Sequence, residues 1–249
     1  AVVPVSAGRI ATTGGRVYVA ARSSGMLAFD VIADGERREL RPALVVEARF
    51  AEDVAAAGSL AFVADGAAGL RILAVEPGGS GTDDDRLREL SRFQPGGVVH
   101  AVTASGPLAC IATGSSGVLV LDVSDPAAPR QLAAIPSPDA RDLALEDDVL
   151  LVADADAGLR SFDLSVPERP AETGPPLAPA VRVSMGKGWA LAIGPAGVSI
   201  VGVTESGGLR VEGFYRTEWA EDAFRDGGRL IVAEGHRGLT VLDVSDPGR

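Results

Sequence analysis

Along this chain short apolar runs, rich in Val, Ile, Leu and Ala, alternate with polar turns that close on glycine. No stretch sustains the 3.6-residue spacing of an amphipathic helix. One unit of pattern recurs six times: a four-residue apolar run, a short turn ending in glycine, then a second apolar run. The first runs are residues 17–20, 61–64, 109–112, 150–153, 190–193 and 230–233. The second runs begin at Gly25, Gly69, Gly117, Gly158, Gly197 and Gly238, which are 44, 48, 41, 39 and 41 residues apart.

A period near forty residues built from short strands is that of a four-stranded propeller blade. Each anchor glycine fits a hairpin turn, where a residue without Cβ takes positive φ. The pattern therefore predicts an all-β fold, a six-bladed β-propeller with four antiparallel strands (A to D) per blade, as a single domain over residues 1–249. Strands B and C are the two apolar runs, and D is an outer strand such as Leu44–Glu47 or Gln131–Ala134. The sixth copy stops where its strand D should begin, whereas Val2-Val3-Pro4-Val5 is strand-like and lacks a blade. The expectation is that this N-terminal strand completes the last blade and closes the ring, a role proline tolerates at an outer edge.

Composition narrows the function classes. Against 23 Lys and Arg stand 34 Asp and Glu, a net charge of −11, so phosphate backbones and anionic lipid are repelled. No run approaches the roughly 18 apolar residues of a membrane span. The expected partners are thus a protein or a small polar ligand, with no nucleic acid and no membrane span, and the expected state is a monomer. The one basic cluster, Arg37, Arg38 and Arg41, reads as a solvated turn. The lone Cys110 cannot form an internal disulfide and shares its aligned slot with Tyr18, Phe62, Leu151, Leu191 and Ile231, which makes it a core residue.

Ala64-Asp65-Gly66 with Gly69-Leu70-Arg71-Ile72, Asp122-Val123-Ser124-Asp125-Pro126 and Asp243-Val244-Ser245-Asp246-Pro247 resemble the units of the LVIVD-repeat family of propellers. Repeat five departs most, with a turn shortened to Gly194-Pro195-Ala196-Gly197 and Gly202 in place of the strand aspartate. The resemblance implies a propeller of the kind often found in secreted, periplasmic or cell-surface proteins. It implies no single activity.

In propellers the B-to-C turns and the D-to-A connections share one face, the usual ligand face. At the start of strand A the six copies carry Arg9, Asp53, Ala101, Asp142, Arg182 and Asp222. Three carboxylates and two guanidinium groups there suit a polar or zwitterionic ligand, although aspartates in such a slot also bond backbone N–H groups. The B-to-C turns add Asp65, Thr113, Asp154 and Glu234 at one slot, read mainly as turn stabilisers. Asp154-Ala155-Asp156 lacks the remaining ligands of a calcium loop, and neither a metal nor a cofactor is expected. Asp83-Asp84-Asp85 reads as a solvated loop on the opposite face.

The two histidines, His100 and His236, fall on the ligand side of blades three and six. The connection into blade six concentrates Phe214, Tyr215, Arg216, Glu218 and Trp219 in a chain that is 4% aromatic, and clustered aromatics mark recognition sites. The primary expectation is a non-catalytic binding or scaffold propeller using Arg9, Asp53, His100, Asp142, Arg182, Asp222, Tyr215 and Trp219. The alternative is an enzyme, a hydrolase, lyase or isomerase, with His100 or His236 acting beside Asp142 or Asp222. No nucleophile elbow, phosphate loop or paired-cysteine motif stands in the sequence.

Overall fold

The computed structural model of the chain describes residues 8–34, 37–76 and 86–245. Its first sheet is β1 (Ile10–Thr13), β2 (Arg16–Ala20), β3 (Met26–Asp34) and β4 (Arg37–Val46), and the second is β5 (Asp53–Ala57), β6 (Leu60–Ala64), β7 (Leu70–Glu76) and β8 (Arg86–Phe93). The third comprises β9 (Ala101–Ser105), β10 (Leu108–Ala112), β11 (Val118–Asp122) and β12 (Arg130–Ile135), and the fourth β13 (Ala140–Glu146), β14 (Val149–Asp154), β15 (Gly158–Asp163) and β16 (Ala171–Glu172). The fifth is β17 (Arg182–Gly186), β18 (Trp189–Gly194), β19 (Gly197–Val203) and β20 (Leu209–Arg216). The sixth has three strands among the described residues, β21 (Asp222–Asp226), β22 (Arg229–Ala233) and β23 (Leu239–Asp243). Neighbouring strands are antiparallel and consecutive throughout. The protein is a six-bladed β-propeller.

Residues 2–5, expected to supply the last blade's fourth strand, lie outside the described residues, as do Asp83, Asp84 and Asp85. The expected turn at Arg37, Arg38 and Arg41 is corrected by the structure. All three stand in β4, opposite Asp34, Ala33 and Asp30 of β3. The β3–β4 ladder runs through all three positions, and Arg41 stands opposite the acidic Asp30, an opposite-charge pairing that a strand accepts.

All six anchor glycines have positive φ, from 81° to 143°. At Gly158 the reason is also steric: a Cβ there would stand 2.1 Å from the carbonyl oxygen of Leu177. Glycine thus lets the outer segment close over the start of strand C.

The contacts divide the chain into two compact units, Ala1–Thr113 with Leu119–Leu132, and Gly114–Val118 with Ala133–Arg249. In each, the core lies between adjacent sheets. Phe62, Leu70 and Ile72 pack with Val102, Ile111 and Leu121 in the first unit. Leu151, Ala153 and Leu159 pack with Val183, Ala190 and Val201 in the second. Cys110 is fully buried and burial pushes its thiol up to about 12, so it stays protonated, as a core residue should.

Two motif elements acquire a physical reason. In Asp122-Val123-Ser124, Asp163-Leu164-Ser165 and Asp243-Val244-Ser245, the serine N–H donates to the aspartate Oδ1 at 2.8–3.0 Å, which turns the chain out of strand C. The arginine of Gly-Leu-Arg acts as a staple. Arg71 donates to the Glu47 carbonyl of the preceding connection and to Glu89 on β8 at 2.8 Å. Arg160 likewise donates to the Pro136 carbonyl at 2.8 Å and forks onto Glu172 at 2.8 and 3.1 Å.

Candidate functional site

Within each unit a B-to-C turn is tied by main-chain bonds to the connection that leads to the next sheet. Arg22 and Ala51 exchange two N–H to carbonyl bonds at 3.0 Å, and the Val99 N–H donates to the Gly66 carbonyl at 2.9 Å. Gly114 and Ala140 repeat the exchange at 3.1 Å. These bonds bring turns and connections side by side, which is the face expected from the repeat.

The acidic residues of the turns serve that framework. Asp65 is buried and its Oδ1 accepts the Phe50 N–H at 2.7 Å. Asp154, fully buried, accepts the N–H groups of Asp156 and Ala157 at 2.9 and 2.6 Å and the Ser137 hydroxyl. Its carboxylate is thereby committed to backbone donors, unlike that of a calcium loop. Glu234 is buried and accepts from the Thr217 and Thr240 hydroxyls.

The same holds for two aspartates at the start of strand A. Asp53 accepts the Val102 N–H of the next sheet at 2.9 Å, and Asp142 accepts that of Val183 at 2.9 Å and its own neighbour's, Leu143, at 2.9 Å. Both are buried. Asp222 differs in being exposed. It accepts the Ala223 N–H at 2.9 Å and faces Arg182 at 4.0 Å.

In the first unit Arg9 lies 3.7 Å from Asp53, and His100 is hydrogen-bonded through Nδ1 to Glu52 at 2.9 Å. Of the sequence candidates, Arg9, Asp53 and His100 therefore gather around one connection. Glu52, missed in the sequence, is the carboxylate that His100 meets. Its only signal was its place one residue before the aligned slot. Beside them the Arg22 guanidinium sits 5.6 Å over the Phe50 ring.

In the second unit Trp219 is 42% exposed. Its ring meets that of His236 edge-on, with centroids 4.8 Å apart and planes at 85°, and the Arg237 guanidinium stands 5.0 Å from its centroid. The Trp219 main-chain N–H donates to the Thr217 hydroxyl at 3.2 Å, so the Thr217–Glu234–Thr240 chain fixes the backbone that carries the aromatic. Tyr215 is half-buried and stands close enough to Glu234 to help hold its carboxyl below the ordinary value, after Thr217, Thr240 and Arg237. Arg237 is the member of this cluster that sequence reasoning passed over, because turn arginines are common on any surface.

Among the described residues no cluster of three or more His, Cys, Asp or Glu could hold a metal ion, and no helix is long and apolar enough to cross a membrane.

The carboxylates of these turns and of the arginine staple set the acid response. For Asp154, burial works to raise the pKa, but the Ser137 hydroxyl and the N–H groups of Ala157, Asp156 and Asp139 together carry it below the ordinary value. In Glu172 the Arg160 fork lowers it, and in Glu234 the Thr217 and Thr240 hydroxyls do so. A depressed folded-state pKa stabilises the fold above the unfolded value, about 4, and that stability is lost as pH falls through the folded value. The melting temperature is expected to be nearly level from pH 7 to about 5 and to fall progressively below about 4. A melting temperature that rises on acidification from pH 5 to 3 would contradict this.

Three of these turns fall in segments that match a known repeat. The LVIVD repeat matches residues 48–75, 96–132 and 226–249. The chain carries LVIVD repeats. The matched LVIVD segments include Asp65, Arg71, His100, Glu234, His236 and Arg237. No curated protein matches the sequence. Among solved structures, the LVIVD-repeat chain is similar to a candidate 6-phosphogluconolactonase from Bacteroides uniformis ATCC 8492, at TM-score 0.73 and 16% identity, covering 97% of this chain and 86% of that one. It is similar to a Lactobacillus plantarum protein at TM-score 0.72 and 14% identity, covering 95% and 80%. A third is Chaetomium thermophilum Sqt1 bound to the N-terminus of ribosomal protein L10, at TM-score 0.67 and 13% identity, covering 96% and 72%. Identities this low establish the shared fold alone.

Proposed function

We propose that this LVIVD-repeat propeller is a non-catalytic binding module that recognises a protein or small polar ligand on the face of B-to-C turns and D-to-A connections. The observation that carries this reading is Trp219, a large aromatic left half in solvent while flanked by His236 and Arg237. An indole met edge-on by a histidine and flanked by a cation, on a backbone fixed by Thr217, combines apolar area with a fixed direction, the make-up of a binding hot spot. The carboxylates support the same reading. Asp53 and Asp142 are occupied by backbone N–H groups, so they serve as caps rather than as acids or bases. Sqt1, similar in fold, has been solved bound to the N-terminus of ribosomal protein L10, and protein recognition is a use proposed for this propeller.

The test compares the proteins and metabolites retained by the immobilised chain with those retained by Trp219→Ala. Ligands held by the wild type are expected to bind the variant at least about tenfold more weakly, with an unchanged melting temperature. Equal retention by both proteins would remove Trp219 from the site.

One observation favours a second reading, an enzyme. The His100–Glu52 pair has the geometry of a base oriented by a carboxylate, and one fold neighbour is a candidate lactonase. The histidine of this reading meets Glu52, whereas the sequence had offered Asp142 or Asp222. Turnover of a hydrolase, lyase or isomerase substrate that vanishes in His100→Ala and survives in Trp219→Ala would select the enzyme.

A further inference from the structure

Repeat five breaks the pattern twice, and both breaks open the same place. At the staple position, where blades two and four carry Arg71 and Arg160, β19 carries Ser199. The turn before it is the shortened Gly194-Pro195-Ala196-Gly197. In blade four the Arg160 guanidinium lies against the preceding connection, bonded to the Pro136 carbonyl, and 4.8 Å over the Phe162 ring. In blade five the matching space is a notch of about 70 Å³ between the connection Ala178–Pro179 and strands β18 to β20. Ser199 and Phe214 line it, paired across the β19–β20 ladder, and Phe214 is 50% exposed at its mouth.

We propose that this notch receives an arginine side chain presented by a partner polypeptide. The chain itself places a guanidinium at this position in two other blades, there with a carboxylate, Glu89 or Glu172, that the lining of the notch lacks, so an incoming guanidinium rests on carbonyl and aromatic contacts. Three features of the notch suit that group. The Ala178–Pro179 connection lies where Glu47 and Pro136 accept from Arg71 and Arg160, and its Ala178 carbonyl, which accepts the Leu159 N–H at 3.1 Å, has a second lone pair for a further donor. The Phe214 ring offers an aromatic face for a planar cation, a pairing this protein already uses at Arg160–Phe162 and Arg22–Phe50. The largely apolar walls, Leu159, Leu177 and Val201, suit the methylene stem of arginine. A lysine matches less well, because its compact ammonium is more strongly hydrated and lacks the planar fork. The net charge of −11 favours the approach of a cationic segment.

The proposal rests on the binding reading of this face but not on Trp219. The experiment titrates the whole protein with N-acetyl-arginine-methylamide and with its lysine counterpart, following backbone amide chemical shifts. Saturable shifts at Ala196, Ser199 and Phe214 are expected, with about tenfold preference for arginine over lysine. Ser199→Arg should fill the notch from within, abolish these shifts and melt no lower than the wild type. If that variant misfolds, Phe214→Ala serves in its place and should weaken the arginine response. The shifts should persist in Trp219→Ala, which separates this proposal from the Trp219 site. Shifts confined to Trp219 and His236 would keep the binding face and overturn the notch. Equal responses to arginine and lysine, or an undiminished response in Ser199→Arg and Phe214→Ala, would also overturn it.

Discussion

Gly158→Ala is expected to lower the unfolding free energy by about 3–5 kcal/mol, whereas Gly227→Ala should cost about 1 kcal/mol. Both glycines have positive φ, but Gly227 at 55° lies in the left-handed region other residues sometimes enter, whereas Gly158 at 94° lies outside it. Their surroundings differ. A Cβ on Gly227 meets nothing within 4 Å, while one on Gly158 would stand 2.1 Å from the Leu177 oxygen. That oxygen belongs to a segment bonded to β15, with the Leu177 N–H donating to the Leu159 carbonyl at 2.9 Å. The methyl group can be accommodated only if the outer segment moves off strand C, losing these bonds and uncovering Leu159. Urea denaturation of the two variants measures the difference. Equal losses would show that the anchor glycines serve only their turns.

The repeat made the fold legible because its signal is redundant. Six glycines at nearly constant spacing, each preceded by a buried strand, point to the same architecture, and a departure in any one copy leaves the count intact. The site was less legible. Asp53, Asp142 and Asp154 stand in aligned slots, yet alignment alone could not separate a ligand from a cap. What separates them is the Val102, Val183 and Ala157 N–H groups that reach their oxygens. Trp219 and Tyr215 were visible as rare residues in an aromatic-poor chain. Their partners His236, Arg237 and Glu234 come from a turn some fifteen residues later, and a sequence pattern does not record which side chains a turn brings back. The expected turn at Arg37–Arg41 shows the opposite error. Charge density was read as a break in structure, when alternating charges across a long hairpin are compatible with strand.

Arg71→Leu is expected to cost about 2–4 kcal/mol, although leucine keeps much of the buried apolar volume. Arg71 is buried. It donates to the Glu47 carbonyl and to Glu89, and lies 3.7 Å from Asp65. Removing it leaves the Glu47 carbonyl without its donor and the buried Asp65 without its cation, while Glu89 keeps only Arg92, and the loss of one partner from a part-buried group costs more than the pair contributes. Arg92 is the internal control. It bonds the same Glu89 from an exposed position, and Arg92→Leu should cost no more than about 0.5 kcal/mol. Arg71→Lys should recover less than half of the loss, because one ammonium cannot span the carbonyl and the carboxylate as the fork does. Acid provides a second readout. Burial works to raise the Glu89 pKa, but Arg92 and Arg71 outweigh it and hold the group below its ordinary value. The stability they supply is present above the unfolded value of about 4.3 and lost as pH falls through the lower folded value. The gap between wild type and Arg71→Leu should therefore narrow on acidification below about pH 4. A gap of constant size from pH 7 to 3, or an Arg92→Leu loss equal to that of Arg71→Leu, would mean that Arg71 stabilises the propeller through its packed stem rather than through the ions it joins.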